Sequence, residues 1–252
     1  MERVDSTGFG DIKVIQQVGL GYGVDSVLLA AFAAGETGAK AIRKGSRVAD
    51  LGSGSGIVGF VICHKVDGTR VIGIEKRETA VDRAERAAEM NAMQDRISFI
   101  KADVSELPDM DQQLQQLKEL DAVVSNPPYF KQDAAIPSQS DDKFIARHET
   151  TANIEDFAKA MSIMLKDGGD CYLVHRPDRL VDIFEALRNN GIEPKTIQMV
   201  VPKAGEAANI VLIHGTKGGG AELKLLPEIA VHNEDGSYTE VIEGLYERRT
   251  KC

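Results

Sequence analysis

The sequence predicts an α/β protein built on a doubly wound, mostly parallel seven-stranded sheet, with a C-terminal antiparallel hairpin. Three observations carry that expectation. From Arg47 onward, short apolar runs alternate with helix-patterned stretches, which forces parallel strands joined by right-handed crossovers. A glycine-rich turn, Asp50-Leu51-Gly52-Ser53-Gly54-Ser55-Gly56, lies where the first of these strands passes into the first helix. The last two apolar runs are separated by a short turn and no helix, so they are expected to pair antiparallel at one edge of the sheet.

The first 45 residues open polar and then read Gly19-Leu20-Gly21-Tyr22-Gly23-Val24-Asp25-Ser26, followed by the apolar run Val27 to Phe32. Asp25 or Ser26 is expected to cap the helix that starts there. Two readings of this stretch stay open: a capped helix covering a sheet edge, or a gate that sets Tyr22 against a ligand. The strand Arg47–Asp50 leads through the glycine turn into a helix over Ile57–Lys65. Val71–Glu75 is the second strand, followed by an amphipathic helix from Thr79 to Met93. Ile97–Ile100 is the third strand, ending at Asp103. A polar helix around Gln112–Lys118 precedes the fourth strand, Asp121–Ser125. A long polar segment then runs to about Ala152, before a helix over Ile154–Leu165. Gly168-Gly169 turns into the strand Cys171–Val174 and a helix near Arg179–Asn189. The strands Thr196–Val201 and Ile210–His214 close the sheet. The chain is expected to be one domain, with 1–45 as N-terminal gate and helix, 46–217 as catalytic core and 218–252 as a weakly patterned C-terminal appendage.

Composition narrows the function classes. Hydrophobic residues make up 42% and charged residues 27% of the 252, the balance of a soluble globular chain. No apolar stretch approaches the ~20 residues of a membrane span, and the N-terminus lacks a signal-peptide core. Cys63, Cys171 and Cys252 are widely separated and show no metal-ligand spacing, so no metal is expected. Cys63 and Cys171 read as core residues of a protein in a reducing cytoplasm. A net charge of -9 argues against a general polyanion binder and leaves open the recognition of one folded RNA through a local patch.

The glycine turn has two readings by pattern. Gly54, Gly56 and Gly59 satisfy a dinucleotide fingerprint, but that motif begins right at the strand end, where Gly52 stands instead. An acid at the strand tip repels a pyrophosphate, and Asp50 occupies that tip. A carboxylate there suits a ligand carrying an amino group and a sulfonium, so S-adenosylmethionine fits better than a dinucleotide. Glu75, ending the second strand, is expected to accept from the ribose hydroxyls, and Asp103, ending the third, from the adenine amino group. Each acid alone is equally a helix cap or a solvated strand end. Three acids ending three consecutive strands lie along the carboxyl edge, where doubly wound sheets bind ligands.

The fourth strand delivers Asn126-Pro127-Pro128-Tyr129 to the same edge. Two prolines cannot continue a strand ladder, so the chain leaves the sheet in a stiff loop that holds an amide and an aromatic ring together. That pair suits a planar group bearing NH2: the amide and a proline carbonyl accept its protons and the ring stacks on its plane. An ordinary Asn-Pro surface turn is the competing reading.

These motifs resemble the class I S-adenosylmethionine-dependent methyltransferases, whose Rossmann-like members with Asn-Pro-Pro-Tyr modify a planar amino nitrogen. More narrowly, the sequence is similar to the enzymes that N6-methylate the adenine just 3′ of the anticodon in a valine tRNA. The residues that carry this likeness are Gly21-Tyr22-Gly23-Val24-Asp25-Ser26-Val27-Leu28-Leu29-Ala30, the glycine turn, the Asn-Pro-Pro-Tyr loop, Arg147-His148-Glu149, and Val174-His175-Arg176-Pro177-Asp178-Arg179-Leu180. Tyr22 departs from the family, which more often has Phe there. The resemblance implies S-adenosyl-L-methionine as cofactor and a tRNA as substrate, with no DNA and no membrane partner expected, in the cytoplasm; the sequence leaves the oligomeric state open, with a monomer favoured over an assembly. It implies catalytic roles for Asn126, Pro127 and Tyr129. It assigns the cofactor to Asp50, Gly52, Gly54, Gly56, Glu75, Asp103, Tyr22, Asp25 and Asn126, and the substrate to Tyr129, Arg147, His148 and Arg176. Lys131, Lys143, Arg176, Arg179 and Lys203 are candidates for RNA phosphates, although Asp133, Asp141, Asp142, Asp178 and Glu206 interleave with them.

Four other functions remain: N5-methylation of a protein glutamine, methylation of another RNA, DNA amino-methylation and a non-catalytic cofactor-binding RNA partner. Glutamine methyltransferases usually carry a larger helical domain in front, and a DNA enzyme needs a sizeable recognition domain. A binding module has no use for an intact Asn-Pro-Pro-Tyr loop.

Overall fold

A computed structural model describes residues 1–19, 21–109, 117–127 and 152–247. The chain opens with an antiparallel hairpin of β1 (Glu2–Ser6) and β2 (Lys13–Gln17), then helix α1 (Val24–Ala33). The alternating core follows as β3 (Arg47–Leu51), α2 (Ile57–Lys65), β4 (Arg70–Glu75), α3 (Glu78–Met90), β5 (Ile97–Lys101) and β6 (Leu120–Ser125). After the loop come α4 (Ile154–Met164), β7 (Leu165–His175), α5 (Leu180–Asn189), β8 (Ile192–Lys203) and β9 (Ile210–Lys217). The chain then adds β10 (Lys224–His232) and α6 (Glu240–Leu245).

Among the described residues, eight strands form one sheet in the order β10-β8-β9-β7-β6-β3-β4-β5. The pairs from β7 through β6, β3 and β4 to β5 are parallel, and β9 runs antiparallel to both β7 and β8. Alternation along each strand divides the core. Val48, Val71, Val124 and Tyr172 face α1, α2 and α3. Ala49, Leu51, Val123 and Leu173 face α4 and α5 through Phe157, Met161, Ile183 and Leu187. Helix α2 is apolar almost all round and is buried from Ile57 to Cys63. Helix α3 instead buries the stripe Ala80, Val81, Ala84, Ala87 and Ala88. Helix α4 starts with a capping box, in which Asn153 accepts from the Glu155 and Asp156 amides while Asp156 accepts from the Asn153 amide.

Several expectations are corrected. The β8–β9 pair is antiparallel but is not an edge, because β10 docks parallel outside β8 and makes an eighth strand from the supposed appendage. Gly168 and Gly169 do not turn into a new strand; they sit in a bulge of β7, where Leu120 pairs with Leu165 but Ala122 pairs with Asp170. Neither Asp25 nor Ser26 is the N-cap of α1. Gly23 holds that position without a side-chain cap, because Asp25 already lies in the first turn. The polar helix expected around Gln112–Lys118 lies largely outside the described residues.

The ends of the chain hold each other. Asn91, after α3, treats β2 as a strand would: its Oδ1 accepts from the Lys13 amide at 2.9 Å and its Nδ2 donates to the Lys13 carbonyl at 2.7 Å. Phe9, in the hairpin turn, stacks on Tyr246, which stacks on Tyr238, which stacks on His232. Lys65 lies over the other side of this system, 5.1 Å from the Phe9 centroid, and pairs with Glu36 and Glu247.

Candidate functional site

The carboxyl ends of β3, β4 and β6 meet at a cavity of about 230 Å³. Its wall joins β2 (Ile15, Gln16), the 21–26 stretch (Tyr22, Ser26), Asp50, the glycine turn (Gly52 to Ser55), Arg77 at the N-cap of α3, Arg83 within α3, and Asn126. The turn is fixed by its backbone. The amides of Gly52 and Ser53 both donate to the Ile74 carbonyl, at 2.8 and 3.1 Å, and the Gly56 amide donates to the Ser53 carbonyl at 2.8 Å. Gly56, at φ +78°, is the N-cap of α2, and a Cβ there would lie 2.6 Å from the Phe99 ring. Both its left-handed backbone and this close approach require glycine.

Two buried polar atoms on the cavity wall have no hydrogen-bond partner among the described residues: Asp50 Oδ2 and Ser53 Oγ. Asp50 is only 2% exposed. Burial pushes its carboxyl up to about 7, the Glu75 charge adds to that, and a backbone donor at Gly59 opposes it. Such a group is poised to gain from a cationic partner.

The other two acids are already engaged; Glu75 is the last residue of β4 as expected, whereas Asp103 does not end β5 but follows it by two residues. Glu75 Oε2 accepts from the Gly54 amide at 3.0 Å, and its Oε1 accepts from the Arg77 amide and Arg77 Nε, both at 2.9 Å. Asp103 Oδ1 accepts from the Ser105 amide and hydroxyl, and its Oδ2 pairs with Lys76 at 2.8 Å. Burial pushes the Asp103 carboxyl up, but Lys76 and the Ser105 donors outweigh it and leave the pKa below the ordinary carboxylate range.

Asn126 is anchored from two directions. Its predecessor Ser125 donates from Oγ to the Leu51 carbonyl at 2.8 Å, tying the end of β6 to the start of the glycine turn. Its own Nδ2 donates to Asp25 Oδ2 at 3.2 Å and to Ser26 Oγ at 3.0 Å. Pro127 follows and is buried. Tyr129, Arg147 and His148, together with Lys131 and Lys143, lie outside the described residues.

The remaining candidate RNA contacts are engaged in local bonds. Arg176 pairs with Asp178 at 3.6 Å, Arg179 with Asp182 at 2.6 Å, and Lys203 donates to the Glu234 carbonyl at 3.0 Å. No convincing basic face emerges from them. Gln16, Arg77 and Arg83 are among the residues of the cavity wall that were not singled out in the sequence. Gln16 Oε1 accepts from the Tyr22 amide at 3.2 Å, so the hairpin pins the backbone at Tyr22. Arg83 interrupts the alanine stripe of α3 on its buried side, a signal that a helical projection of the sequence contains. His175 ends β7 at the same edge, where burial lowers its pKa.

Comparison with known proteins agrees with this geometry. The family model of the methyltransferase small domain matches residues 39–181. A Bacteroides thetaiotaomicron protein named tRNA1(Val) (adenine(37)-N6)-methyltransferase is 26% identical over 227 residues, covering 89% of each chain. A Porphyromonas gingivalis protein of the same name is 32% identical over 164 residues, 64% of this chain and 60% of its own. Among solved structures, an Agrobacterium tumefaciens protein described as a predicted O-methyltransferase superimposes with a TM-score of 0.69 at 24% identity, over 90% of this chain and 97% of that one.

Proposed function

The chain belongs to the methyltransferase small domain family and is an S-adenosylmethionine-dependent methyltransferase; from that premise we propose that it methylates the exocyclic N6 of an adenine in tRNA, next to the anticodon of a valine tRNA. The observation that carries the reading is the placement of Asn126 on the wall of the cavity that Asp50 and the glycine turn also border. The name shared by the full-length relatives supports the choice of RNA and base.

The residues present fit the cofactor. Asp50 Oδ2 and Ser53 Oγ are buried acceptors whose missing partners match an ammonium group and a hydroxyl or amide. The glycine turn lets a ligand reach the backbone, and Tyr22 closes against it. Glu75 Oε2 keeps a lone pair for a ribose hydroxyl, while Oε1 is saturated by Arg77 and gains capacity only when that half-exposed side chain swings away. Asp103 takes the adenine amino group on the same condition, through the release of Lys76.

S-adenosylmethionine, when bound, supplies an electrophilic methyl group on a sulfonium. Everything else is the work of this chain. An exocyclic amine lends its lone pair to the ring and attacks poorly. Asn126 Oδ1 and the Pro127 carbonyl accept its two hydrogens, which favours a pyramidal nitrogen with a directed lone pair. The same two acceptors stabilise the positive charge that develops on nitrogen. Placement does the rest; once the nitrogen has gained the methyl group and become cationic it is strongly acidic and loses its surplus proton to water, so no strong general base is required. Tyr129 stacks on the base and helps offset the few kcal/mol of unstacking it.

Incubation with methyl-labelled cofactor and, in parallel, bulk tRNA or bulk protein, followed by nucleoside digestion of the tRNA, is expected to place the label in N6-methyladenosine. Label in protein alone would replace this reading with glutamine methylation.

A further inference from the structure

Resting on the amino-group reading above, we infer that Asp25, assisted by Ser26, is a positioning residue that fixes which end of the Asn126 amide meets the acceptor amine.

An asparagine amide has an oxygen that accepts and a nitrogen that donates, nearly equal in size, so packing alone does not choose between its two orientations. Only one orientation serves the reaction. With Oδ1 toward the amine, the amide accepts an N–H; flipped by 180°, it presents NH2 to NH2. The choice has to be made by a neighbour that tolerates one end only, and Asp25 is such a neighbour. Its carboxylate has no hydrogen to donate, and Oδ2 lies 3.2 Å from Asn126 Nδ2. Ser26 Oγ, 3.0 Å from the same nitrogen, takes the second hydrogen. Both amide hydrogens are thus directed at α1, and Oδ1 is the opposite end.

Asp25 is itself held. Its Oδ1 accepts from the Ser26 amide at 2.9 Å, which leaves Oδ2 as the oxygen that reaches Asn126. Both carboxylate oxygens therefore act as acceptors, and an asparagine, with one oxygen, cannot replace both. The backbone around it is shaped for this rotamer: a Cβ on Gly23 would lie 2.5 Å from Asp25 Oδ1. The first turn of α1 is 100 residues distant in sequence from the Asn-Pro loop, yet it makes the bonds that define the amide. This also accounts for Asp25 more directly than a helix cap does, since Gly23 occupies the cap position.

A charge exchange tests the inference. Asp25→Asn satisfies the Ser26 amide with its one oxygen and turns NH2 toward Asn126, so kcat should fall about 100-fold, the scale of a misplaced catalytic group. The KM for cofactor and the calorimetric affinity for S-adenosylhomocysteine should stay unchanged. Asn126→Asp sets two carboxylates against each other and should lose at least as much. The pair Asp25→Asn with Asn126→Asp restores a donor facing an acceptor and should regain about tenfold or more over Asn126→Asp alone. Rescue of this kind is foreign to a merely structural role for Asp25. Full activity of Asp25→Asn, or a double variant no better than Asn126→Asp with cofactor binding intact, overturns the inference while leaving the amino-group reading in place. Wild-type chain that transfers no methyl group to any amino acceptor overturns both. Should Asp25→Asn fail to bind S-adenosylhomocysteine, Ser26→Ala serves as the second variant; a kcat equal to wild type there contradicts the shared role.

Discussion

Replacing Asn126 by alanine should remove methyl transfer, with a loss of about 100- to 1000-fold in kcat, while the affinity for S-adenosylhomocysteine stays within a factor of two or so of wild type. The side chain stands between two parts of the site that act independently. Its backbone is set by β6, through Ser125 and the Leu51 carbonyl, and its amide is set by α1. Alanine keeps the first and deletes the second, so the glycine turn and Asp50 still shape the cofactor end of the cavity. What disappears is the acceptor that holds an amine hydrogen and stabilises charge on nitrogen. Single-turnover kinetics together with calorimetry separate these effects. A parallel collapse of cofactor affinity would assign Asn126 to cofactor binding and take the amine contact away from it.

The second large effect concerns stability and carries a definite sign. Asp50→Asn should raise Tm at pH 8 and weaken cofactor binding at the same time. Burial, with Glu75 adding to it, holds the Asp50 carboxyl at about 7 in the folded chain against 3.8 as its ordinary value. A group with a raised folded pKa contributes stability below its unfolded value and loses it as pH rises through the folded value. Between about pH 4 and 7 the unfolded chain gives up the Asp50 proton while the folded chain keeps it, so the wild-type chain progressively loses stability, by about 2–4 kcal/mol once the folded group has ionised too. The neutral amide escapes that cost. Melting curves from pH 5 to 8 should show the variant's advantage widening with pH, then levelling above about pH 7.5. An advantage independent of pH, or a variant less stable at pH 8, would contradict the cost of ionising a buried carboxyl whose Oδ2 has no partner among the described residues. The trade is expected of a site that keeps an unsatisfied charge for its ligand.

Much of the catalytic half was legible because its determinants are local. The helix over Ile57–Lys65 has the bounds its apolar run suggests, and β3 to β6 fall on the runs that alternate with helical patterns. The glycine turn announces itself because Gly56 tolerates no side chain against Phe99. The rest was hidden because its determinants are distant. Strand β1, Glu2-Arg3-Val4-Asp5-Ser6, carries one apolar residue and is mostly exposed. It exists because β2 is paired on its other side by the Asn91 amide and capped by the Phe9–Tyr246 stack. Strand β10 includes Pro227, which reads as a break in sequence but is tolerated at a sheet edge. Gln16 comes to the cavity from β2 of that hairpin, and Arg77 and Arg83 come to it from the N-cap and the buried side of α3. Of the three acids, Glu75 ends its strand as expected, Asp50 precedes the last residue of β3 and Asp103 lies two residues past β5; the engagement of Glu75 by Arg77 and of Asp103 by Lys76 is tertiary detail that no pattern shows.

Which amino group receives the methyl decides the function. Two valine tRNA transcripts, one with adenine and one with guanine at the position 3′ of the anticodon, can be offered with labelled cofactor. The first should take up close to one methyl per molecule, recovered as N6-methyladenosine, and the second none. Equal labelling of the two transcripts, or labelling of neither by a chain that still binds cofactor, would contradict the adenine N6 reading.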